Sequence, residues 1–484
     1  MPRTDCRQHF WGEALAIPEA AQADGAASAG VEAFGYRQEL KRSLGLFDLL
    51  VYGLVFIVPT APFPVFGIVF NASKGMVPLV YAVGLVAMVF TAFSYMTMSR
   101  AFPVAGSVYT YASRSIGEIA GFFAGWGILL DYLLTPALIY VVCAIAVHIF
   151  VPGLPKGLWV VSLLAFSTAI NFFGIETATR VNIALLILQL VMLAIFLVLA
   201  MIAVMHGVNG AHFTIAPLFN AKLVSPDLIF RALSLAVLSF LGFDAVSTLA
   251  EETKGGPDLI GKATIFSLCL AAFLFVAQTY LASLFVLGRT SFPAGDATDT
   301  AFYYIAQLVG GHSYKVAVSI LGVLFGGIPA ALTAQAATAR LLYGMARDKK
   351  LPSLLAHVHA TRQVPDTAIF AVALVTLGLG LLMVNQLELI TSMVSFGALL
   401  GFLLLHVSVI VHAFRTGKTG QWFRFIVSPA VGAVIIAYVL FNTELHAKEA
   451  GMAWLVVGLG VLLALKLSGR STALQVDPDS APVP

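Results

Sequence analysis

Twelve apolar runs of about 20 residues each constrain this 484-residue chain more than any other feature. A helix needs about 20 apolar residues to cross a hydrocarbon core of about 30 Å. Only 11% of the residues are charged, against roughly 25% in soluble domains. The chain is therefore predicted to be an all-α integral membrane protein, with spans near residues 46–70, 76–98, 120–150, 157–175, 181–206, 228–250, 262–288, 314–345, 366–384, 387–414, 424–441 and 451–468.

The distribution of Lys and Arg predicts the orientation of these spans. An even number of spans places both termini on one side, and most basic residues fall in the loops and tails of that side. The other side receives only Lys74, Lys156, Lys222, Arg231, Arg289, Lys315 and Lys448. By the positive-inside rule, the N-terminal tail (1–45) and the C-terminal tail (471–484) are predicted to be cytoplasmic.

Two of the apolar runs contain residues that interrupt a helix. Pro59, Pro62 and Pro64 lie within the first run, and proline lacks the N–H group that a continuing helix needs. Gly242 lies at a comparable depth in the sixth run. Broken helices in corresponding positions are typical of transporters with an inverted repeat and a site at the membrane midplane. The alternative is a simple proline kink and a packing glycine.

These breaks divide the predicted fold into two repeats of five spans each. The first repeat covers residues 46–206 and the second covers 228–414, and two further helices follow in 424–468. The site is expected where the two broken helices meet.

Two acidic residues lie inside the predicted spans. Asp244 follows the break at Gly242, and Asp131 lies about ten residues into the third run, roughly 15 Å along a helix. An acidic side chain at the bilayer centre costs about 2.5 to 3.5 kcal/mol, so such residues usually face a cavity, an ion or a substrate. Asp244 is a candidate to bind an ammonium group or to cap the second half-helix. Asp131 is a candidate for substrate contact, for proton transfer or for a hydrogen bond to a neighbouring helix.

Aromatic rings and backbone carbonyl groups at the breaks could complete a site for a cation. Phe63 lies in the first run, and Phe240 and Phe243 flank the break in the sixth, where ring faces can attract a cation. Pro59 and Thr60 lie at the first break, where carbonyl groups are left without helical partners. All five are predicted substrate-binding residues, together with Gly242.

Two consecutive glutamates, Glu251 and Glu252, end the sixth run. They are candidates for gating or coupling, although ion pairs with basic residues are their more ordinary role. Arg340, Arg347 and Asp348 are expected to belong to such an ion network rather than to a binding site.

Four motifs in the chain resemble those of the amino acid-polyamine-organocation permease family. They occur in the family's order: Gly106-Ser-Val-Tyr-Thr-Tyr111, Gly121-Phe-Phe-Ala-Gly-Trp126, Gly242-Phe-Asp244 with Glu251-Glu252, and Arg340-Leu-Leu-Tyr-Gly-Met-Ala-Arg-Asp348. Within the family the chain looks most similar to bacterial putrescine importers, through Leu129-Leu-Asp-Tyr132, Phe240-Leu-Gly-Phe-Asp244, Arg340-Leu-Leu-Tyr343 and Ser395-Phe-Gly-Ala398.

The resemblance implies a twelve-helix, LeuT-like inverted-repeat fold that works by alternating access in the inner (plasma) membrane. It implies that Tyr111 is a gate or a substrate contact, and that the outer stretch 299–308 is a lid helix. Gln189 lies in the span where some family members place a proton-linked lysine, so it is a coupling candidate.

The chain departs from the resemblance at the first break. Amino acid permeases of the family usually bind the substrate carboxylate through free N–H groups of a glycine-rich break, whereas Pro59, Pro62 and Pro64 remove donors here. This favours an amine without a carboxylate. Pro64 also stands where putrescine importers carry an acidic residue, which weakens the case for a diamine.

Other classes of function receive little support from the sequence. A net charge of +3 with dispersed basic residues gives no nucleic-acid surface, and three distant cysteines give no zinc spacing. The chain has no His-Glu-x-x-His motif. We therefore expect no metal, no cofactor and no enzymatic activity. The expected function is import of an organic amine such as putrescine, driven by protons or by the membrane potential. An amino acid:proton symporter or an exchanger is the alternative, and the expected partners are the substrate, a possible proton and membrane lipid.

Overall fold

The computed structural model describes residues 39–150, 153–256, 258–384, 386–443 and 445–467. Within these residues the fold is helical, and the one β feature is an isolated bridge between Leu44 and Thr253. The helices are α1 Leu46–Ile57, α2 Pro62–Ser73, α3 Val77–Ala101, α4 Ser107–Ser115, α5 Glu118–Phe150, α6 Lys156–Phe172, α7 Ile175–Met205, α8 Pro226–Ala236, α9 Asp258–Ser283, α10 Asp296–Asp299, α11 Ala301–Gly322, α12 Ile328–Arg347, α13 Asp366–Leu382, α14 Leu387–Arg415, α15 Ser428–Phe441 and α16 Leu445–Leu467.

A helix or an interrupted helix lies at each of the twelve predicted spans. Among the described residues, eight helices are long and apolar enough to cross a membrane, and the bent pair α1 and α2 makes a possible ninth. The apolar helices α6 and α13 have only 17 residues each. At 1.5 Å per residue each covers about 25 Å, which is less than the hydrocarbon core. The all-helical membrane fold is therefore confirmed, while the number twelve stays a prediction.

The last residues of the predicted N-terminal tail belong to the folded part of the protein. Leu40 and Leu44 are buried, and the N–H groups of Ser43 and Leu44 donate to the carbonyl oxygen of Glu252. Residues 39–45 of the predicted tail therefore pack on the helices, and the division of the chain at residue 45 stays a prediction. Residues 1–38 and the predicted C-terminal tail lie outside the described residues. We call the end of the helical bundle that holds residues 39–45 the proximal end, and the opposite end the distal end.

Both predicted breaks are present. Proline chemistry explains the first, since α1 stops at Val58, which has a φ of 60°, and α2 restarts at Pro62 with a bend of 54°. The second follows α8, where Leu241 is extended and Gly242 has a φ of 110°. The chain then continues as a 3₁₀ helix, Phe243–Glu252.

Two further irregular segments shape the second half of the chain. Gly311, with a φ of 80°, separates the first ten residues of α11 from the rest, at the place of the expected lid helix. A π-helical turn, Val323–Gly327, precedes Pro329 in α12, and a second, Phe423–Val427, precedes Pro429 in α15. A proline cannot donate to the turn before it, so a widened turn ahead of each proline is a local consequence of sequence.

Candidate functional site

The break between α1 and α2 is held by amides from two other helices. Gln278 in α9 donates from Nε2 to the carbonyl oxygen of Pro59 at 2.9 Å. Gln189 in α7 donates from Nε2 to Thr60 Oγ1 at 2.8 Å. The π turn of α12 lies against the same place, because a Cβ added at Gly326 would meet Gln189 and Val58 at 2.9 and 3.1 Å. Side chains thus satisfy polar groups that the broken helix leaves free, as membrane interiors require.

Few backbone N–H groups at this break are free to bind a ligand. Pro59, Pro62 and Pro64 have no N–H group, while the N–H groups of Val58, Ala61 and Phe63 donate to the carbonyl oxygens of Leu54, Val58 and Thr60. A carboxylate would therefore find few free donors in this segment.

The second break touches the first. A Cβ added at Gly242 would lie 3.0 Å from the backbone carbonyl carbon of Phe56, so only glycine allows the chain to approach the end of α1 this closely. The positive φ of Gly242 requires glycine for a second reason. The two broken helices therefore meet at Phe56 and Gly242, which fixes where Asp244 is held.

Asp244 is almost fully buried at this junction, with 1% of its surface exposed. Tyr132 in α5 donates from its hydroxyl to Asp244 Oδ2 at 2.6 Å. The other oxygen, Oδ1, has no hydrogen-bond partner among the described residues. A buried carboxylate oxygen without a donor is costly, so Oδ1 is the atom of Asp244 that a ligand donor would bind most favourably.

Asp131 lies next to Tyr132 on α5 and is also buried. Thr135 donates from Oγ1 to Asp131 Oδ1 at 2.8 Å, one turn along the same helix. The backbone of Asp131 is in close contact with α14, since a Cβ added at Gly397 would lie 2.7 Å from its N atom. Neither Asp131 nor Asp244 forms an ion pair among the described residues, and Asp131 is the sequence neighbour of Tyr132, which binds Asp244. Both predicted acids are therefore buried beside Tyr132, and no basic side chain among the described residues pairs with either.

The predicted aromatic residues are divided among three places. Phe243 packs edge-on to Tyr95, with ring centroids 6.0 Å apart, and Tyr95 packs 6.3 Å from Tyr111. Tyr111 is fully buried and its hydroxyl has no partner among the described residues. Phe243 and Tyr111 thus belong to one aromatic row beside Asp244.

Phe240 and Phe63 lie away from that row. Phe240 packs against Tyr81 and Phe275, with ring centroids 5.8 and 5.4 Å apart. Phe63 stacks on Phe302, in the first segment of α11, at 3.7 Å. Phe63 therefore closes the distal end with the expected lid helix, whereas Phe240 packs between helices.

Glu251 and Glu252 lie at the proximal end and form the expected ion pairs. Arg347 binds Glu251 through two nitrogens, at 2.8 and 3.1 Å. Arg340 likewise donates from two nitrogens to the two carboxylate oxygens of Glu252. Glu251 also accepts from the N–H group of Ala105 at 2.8 Å. Together with residues 39–45, these pairs fasten the end of the sixth span to α12 and close the proximal end.

A second set of bonds closes the distal end. Asn71 in α2 accepts from the N–H group of Phe292 at 2.6 Å and donates to the Phe292 carbonyl and to Thr298 Oγ1 at 3.1 and 3.2 Å. A Cβ added at Gly67 would overlap the carbonyl oxygen of Thr298. The site is therefore enclosed at both ends.

Sequence reasoning assigned no role to Tyr132, Gln278 or Asn71. A signal existed for Gln278, which is an isolated amide in an apolar run like Gln189. Tyr132 stands beside Asp131, but its bond to Asp244 joins residues 112 apart in the chain. Among the described residues no group of three or more His, Cys, Asp or Glu side chains could hold a metal ion.

Comparisons with known proteins agree with this architecture. The sequence pattern of the amino acid permease family matches residues 49–462. The chain is 31% identical to the low-affinity putrescine importer PlaP of Escherichia coli, over 91% of this chain and 97% of that protein. It is 28% identical to the branched-chain amino acid permease BcaP of Bacillus subtilis, over 87% and 92% of the two chains. A methylthioribose transporter of Bacillus subtilis is 24% identical over 87% and 92%. With broken helices, a buried acidic site and these relatives together, the chain belongs to the amino acid permease family of membrane transporters.

Proposed function

We propose that this permease imports a small organic amine by alternating access, and that Asp244 binds its ammonium group. The observation that carries the proposal is the pair of buried carboxyl groups, Asp244 and Asp131, which have no cationic partner among the described residues. Charge buried in a membrane needs compensation by a proton or a cation. An ammonium group would supply the donor that Asp244 Oδ1 lacks.

The first break supports an amine over an amino acid. Its prolines have no N–H groups and its other N–H groups are largely engaged within the segment, so a substrate carboxylate gains little there. Pro59 and Thr60 contribute oxygen atoms to the same region, although amides already occupy both. The relatives do not decide between the two classes, since one is named for putrescine and others for amino acids.

Asp131 is the proposed proton carrier. It is the second buried carboxyl group and stands next to Tyr132, which binds Asp244, so it would carry a proton inward while Asp244 holds the ammonium group. Gln189 cannot titrate, and its amide holds Thr60, so we assign it a structural role at the break. The inside-negative membrane potential would add about 2.3 kcal/mol per charge per 100 mV to the uptake of a cation.

The proposal includes the twelve-span, inverted-repeat arrangement with both termini in the cytoplasm. Under this arrangement the proximal end faces the cytoplasm and the distal end, with Phe63 and Asn71, faces outward. The distribution of basic residues supports the orientation, and the paired breaks support the repeat.

Thermal stabilisation of the purified protein tests the substrate class. Each amine is paired with its carboxylated parent, for example putrescine with ornithine and histamine with histidine. A ligand at 100 times its Kd stabilises the folded state by about 2.7 kcal/mol, so selective binding is measurable as a rise in Tm. We expect a rise with amines alone, followed by uptake of the same amines into proteoliposomes.

Import of an amino acid with a proton is the second candidate, favoured by the likeness to BcaP. A rise in Tm with the parent amino acids, equal to or above that with the amines, would reject the amine proposal. It would mean that a donor other than the first break binds the carboxylate.

A further inference from the structure

A groove lies between α6 and α13, away from the buried acids. Its volume is about 480 Å³, and its lining is apolar apart from Thr168. The small side chains of Ala165, Ala169 and Ala373 leave this space between the larger Phe172 and Phe370. Phe370 and Leu374 are 51% and 72% exposed. In a membrane protein such a surface is in contact with lipid tails, so the groove opens to the bilayer.

The groove is long enough to hold part of an acyl chain. On α6 it extends from Val161 to Phe172, which is about 16 Å at 1.5 Å per residue and about half of the hydrocarbon core. The two helices that form it, of 17 residues each, are the short apolar helices of the described residues. A bilayer beside short helices thins locally, at a modest cost in free energy.

A cationic group lies at the proximal end of the groove. The guanidinium group of Arg362 lies 4.1 Å from the ring centroid of Phe172, a lining residue, and 5.4 Å from that of Phe173. Arg362 is half-buried and forms no ion pair within the part of the chain that the structure describes. The ring of His359 packs edge-on to Phe172 at 5.8 Å. The proximal end of the groove is therefore next to the guanidinium group of Arg362, which contacts two aromatic rings and has no anionic partner among the described residues.

The carboxylate that follows in the sequence does not neutralise Arg362. Asp366, at the start of α13, contacts His357 Nδ1 at 2.7 Å and accepts from the N–H group of Thr367. A guanidinium group has five donors in a planar fork that matches a phosphate, and the aromatic contacts leave those donors free. An apolar slot with a phosphate-binding group at its membrane-surface end is complementary to a phospholipid with net negative charge.

We propose that this groove binds an anionic phospholipid, with one acyl chain between α6 and α13 and the headgroup phosphate at Arg362. The charge at Arg362 distinguishes such a lipid from a zwitterionic one, whose own ammonium group would lie beside the guanidinium. The site is separate from the amine site, because in the part of the chain that the structure describes none of its lining residues is a hydrogen-bond partner of Asp244 or Asp131.

The test measures the thermal stability of the full-length protein in detergent micelles supplemented with phosphatidylglycerol or with phosphatidylcholine of the same acyl chains. We expect phosphatidylglycerol to raise Tm and phosphatidylcholine to raise it much less. Native mass spectrometry of the same samples should show one tightly retained phosphatidylglycerol per chain.

Two substitutions address the two parts of the site. Arg362→Gln should reduce the apparent affinity for phosphatidylglycerol about fivefold, the usual effect of one basic residue near an anionic surface. Ala169→Leu should fill the groove and reduce retention of the lipid while Arg362 remains. Arg415→Gln is the matched control, since Arg415 lies at the same end of the bundle and donates to the carbonyl oxygen of Ile116 rather than to a groove residue.

Equal stabilisation by the two lipids, or a response to phosphatidylglycerol that survives both Arg362→Gln and Ala169→Leu, would overturn the proposal. A change of oligomeric mass in Ala169→Leu without any lipid dependence would instead show that a second copy of the chain occupies the groove. Because the readout is lipid binding, these outcomes do not depend on whether the substrate is an amine.

Discussion

At the scale of single residues, Asp244 contributes a charged side chain to the site, whereas Gly242 contributes by having no side chain. Asp244 supplies a buried charge, to which the hydroxyl of Tyr132 donates a hydrogen bond. Gly242 supplies no side chain, and that absence lets the break of the sixth span reach the backbone of Phe56. One residue sets the chemistry of the site and the other sets its geometry.

Asp244→Asn should abolish amine binding while leaving the protein folded. The amide keeps the size of the carboxylate but removes its charge, and loss of one partner of a buried charge pair costs about 2 to 5 kcal/mol, or about 30-fold or more in Kd. The measurement is the amine-induced rise in Tm of the variant beside wild type. Asp48→Asn removes a carboxylate that only caps α1 at Gly45, so it should bind normally. Unchanged affinity in Asp244→Asn would assign that residue to helix capping.

Gly242→Ala should destabilise the protein and impair transport together. A left-handed conformation costs an L-residue about 1 to 2 kcal/mol, and the close contact with Phe56 adds a steric cost. Gly378→Ala in α13 is the control, because a Cβ there would meet nothing within 4 Å and alanine favours a helix. The comparison is made by Tm and by uptake in proteoliposomes. Equal stability of the two variants would show that the junction can relax.

At the scale of elements, separate sets of contacts fasten the broken spans at each end. The 3₁₀ segment of the sixth span is bound to α12 by two buried ion pairs, and α2 is bound through Asn71 to Phe292 and to Thr298 of α10. The loop after α12 is also tied to α5, because Lys350 lies 3.7 Å from Glu118. Breaking a buried ion pair by removing one partner commonly costs about 3 to 5 kcal/mol. We therefore expect these contacts to break and re-form when the helices move.

Lys350 should make stability depend on pH. Burial lowers the pKa of this lysine to about 8, from an ordinary value of 10.5. Between those values the unfolded chain binds more protons than the folded one, so the stability rises as the pH increases from about 8 to 10.5. We expect the slope of Tm against pH in this range to be more positive in wild type than in Lys350→Met. Parallel slopes would show that the ion pair with Glu118 offsets the burial of the ammonium group.

At the scale of the whole molecule, the site is enclosed from both directions. The proximal end is closed by ion pairs and by residues 39–45, and the distal end by the Asn71 contacts and the stack of Phe63 on Phe302. Alternating access requires each closure to open in turn, with a free-energy difference of a few kcal/mol that substrate and membrane potential can supply.

Asn71→Ala should shift the protein towards a state that is open at the distal end. The change removes three hydrogen bonds of about 1 kcal/mol each, so the open population should rise about tenfold or more. The measurement is the rate at which an impermeant maleimide labels a cysteine at Thr60, in a background without Cys6, Cys143 and Cys269. Ser234→Ala, which loses only a bond to the Arg231 carbonyl in its own helix, is the control. Equal labelling rates would mean that Phe63 and Phe302 alone hold the distal end.

Features that depend on local chemistry were predictable from the amino-acid sequence. The helices were located by comparing the length of each apolar run with the thickness of a bilayer. Three prolines located the first break, and the Gly242-Phe-Asp244 motif located the second. Asp131 and Asp244 stood out because a charge is costly in an apolar span. The packing of residues 39–45 on the helices could not be predicted, since these residues carry no local signal of it.

Which of these residues meet depends on how the helices pack in three dimensions. Tyr132 reaches Asp244 across 112 residues, Gln278 reaches Pro59 across 219, and Arg340 reaches Glu252 across 88. Such pairs depend on which faces of the helices pack together. The sequence does not reveal those faces, because a membrane-spanning helix is apolar both where it contacts lipid and where it contacts other helices. For the same reason the sequence could not distinguish Phe243, beside the acids, from Phe63 and Phe240, because 36 phenylalanines share one chemistry and differ only in place.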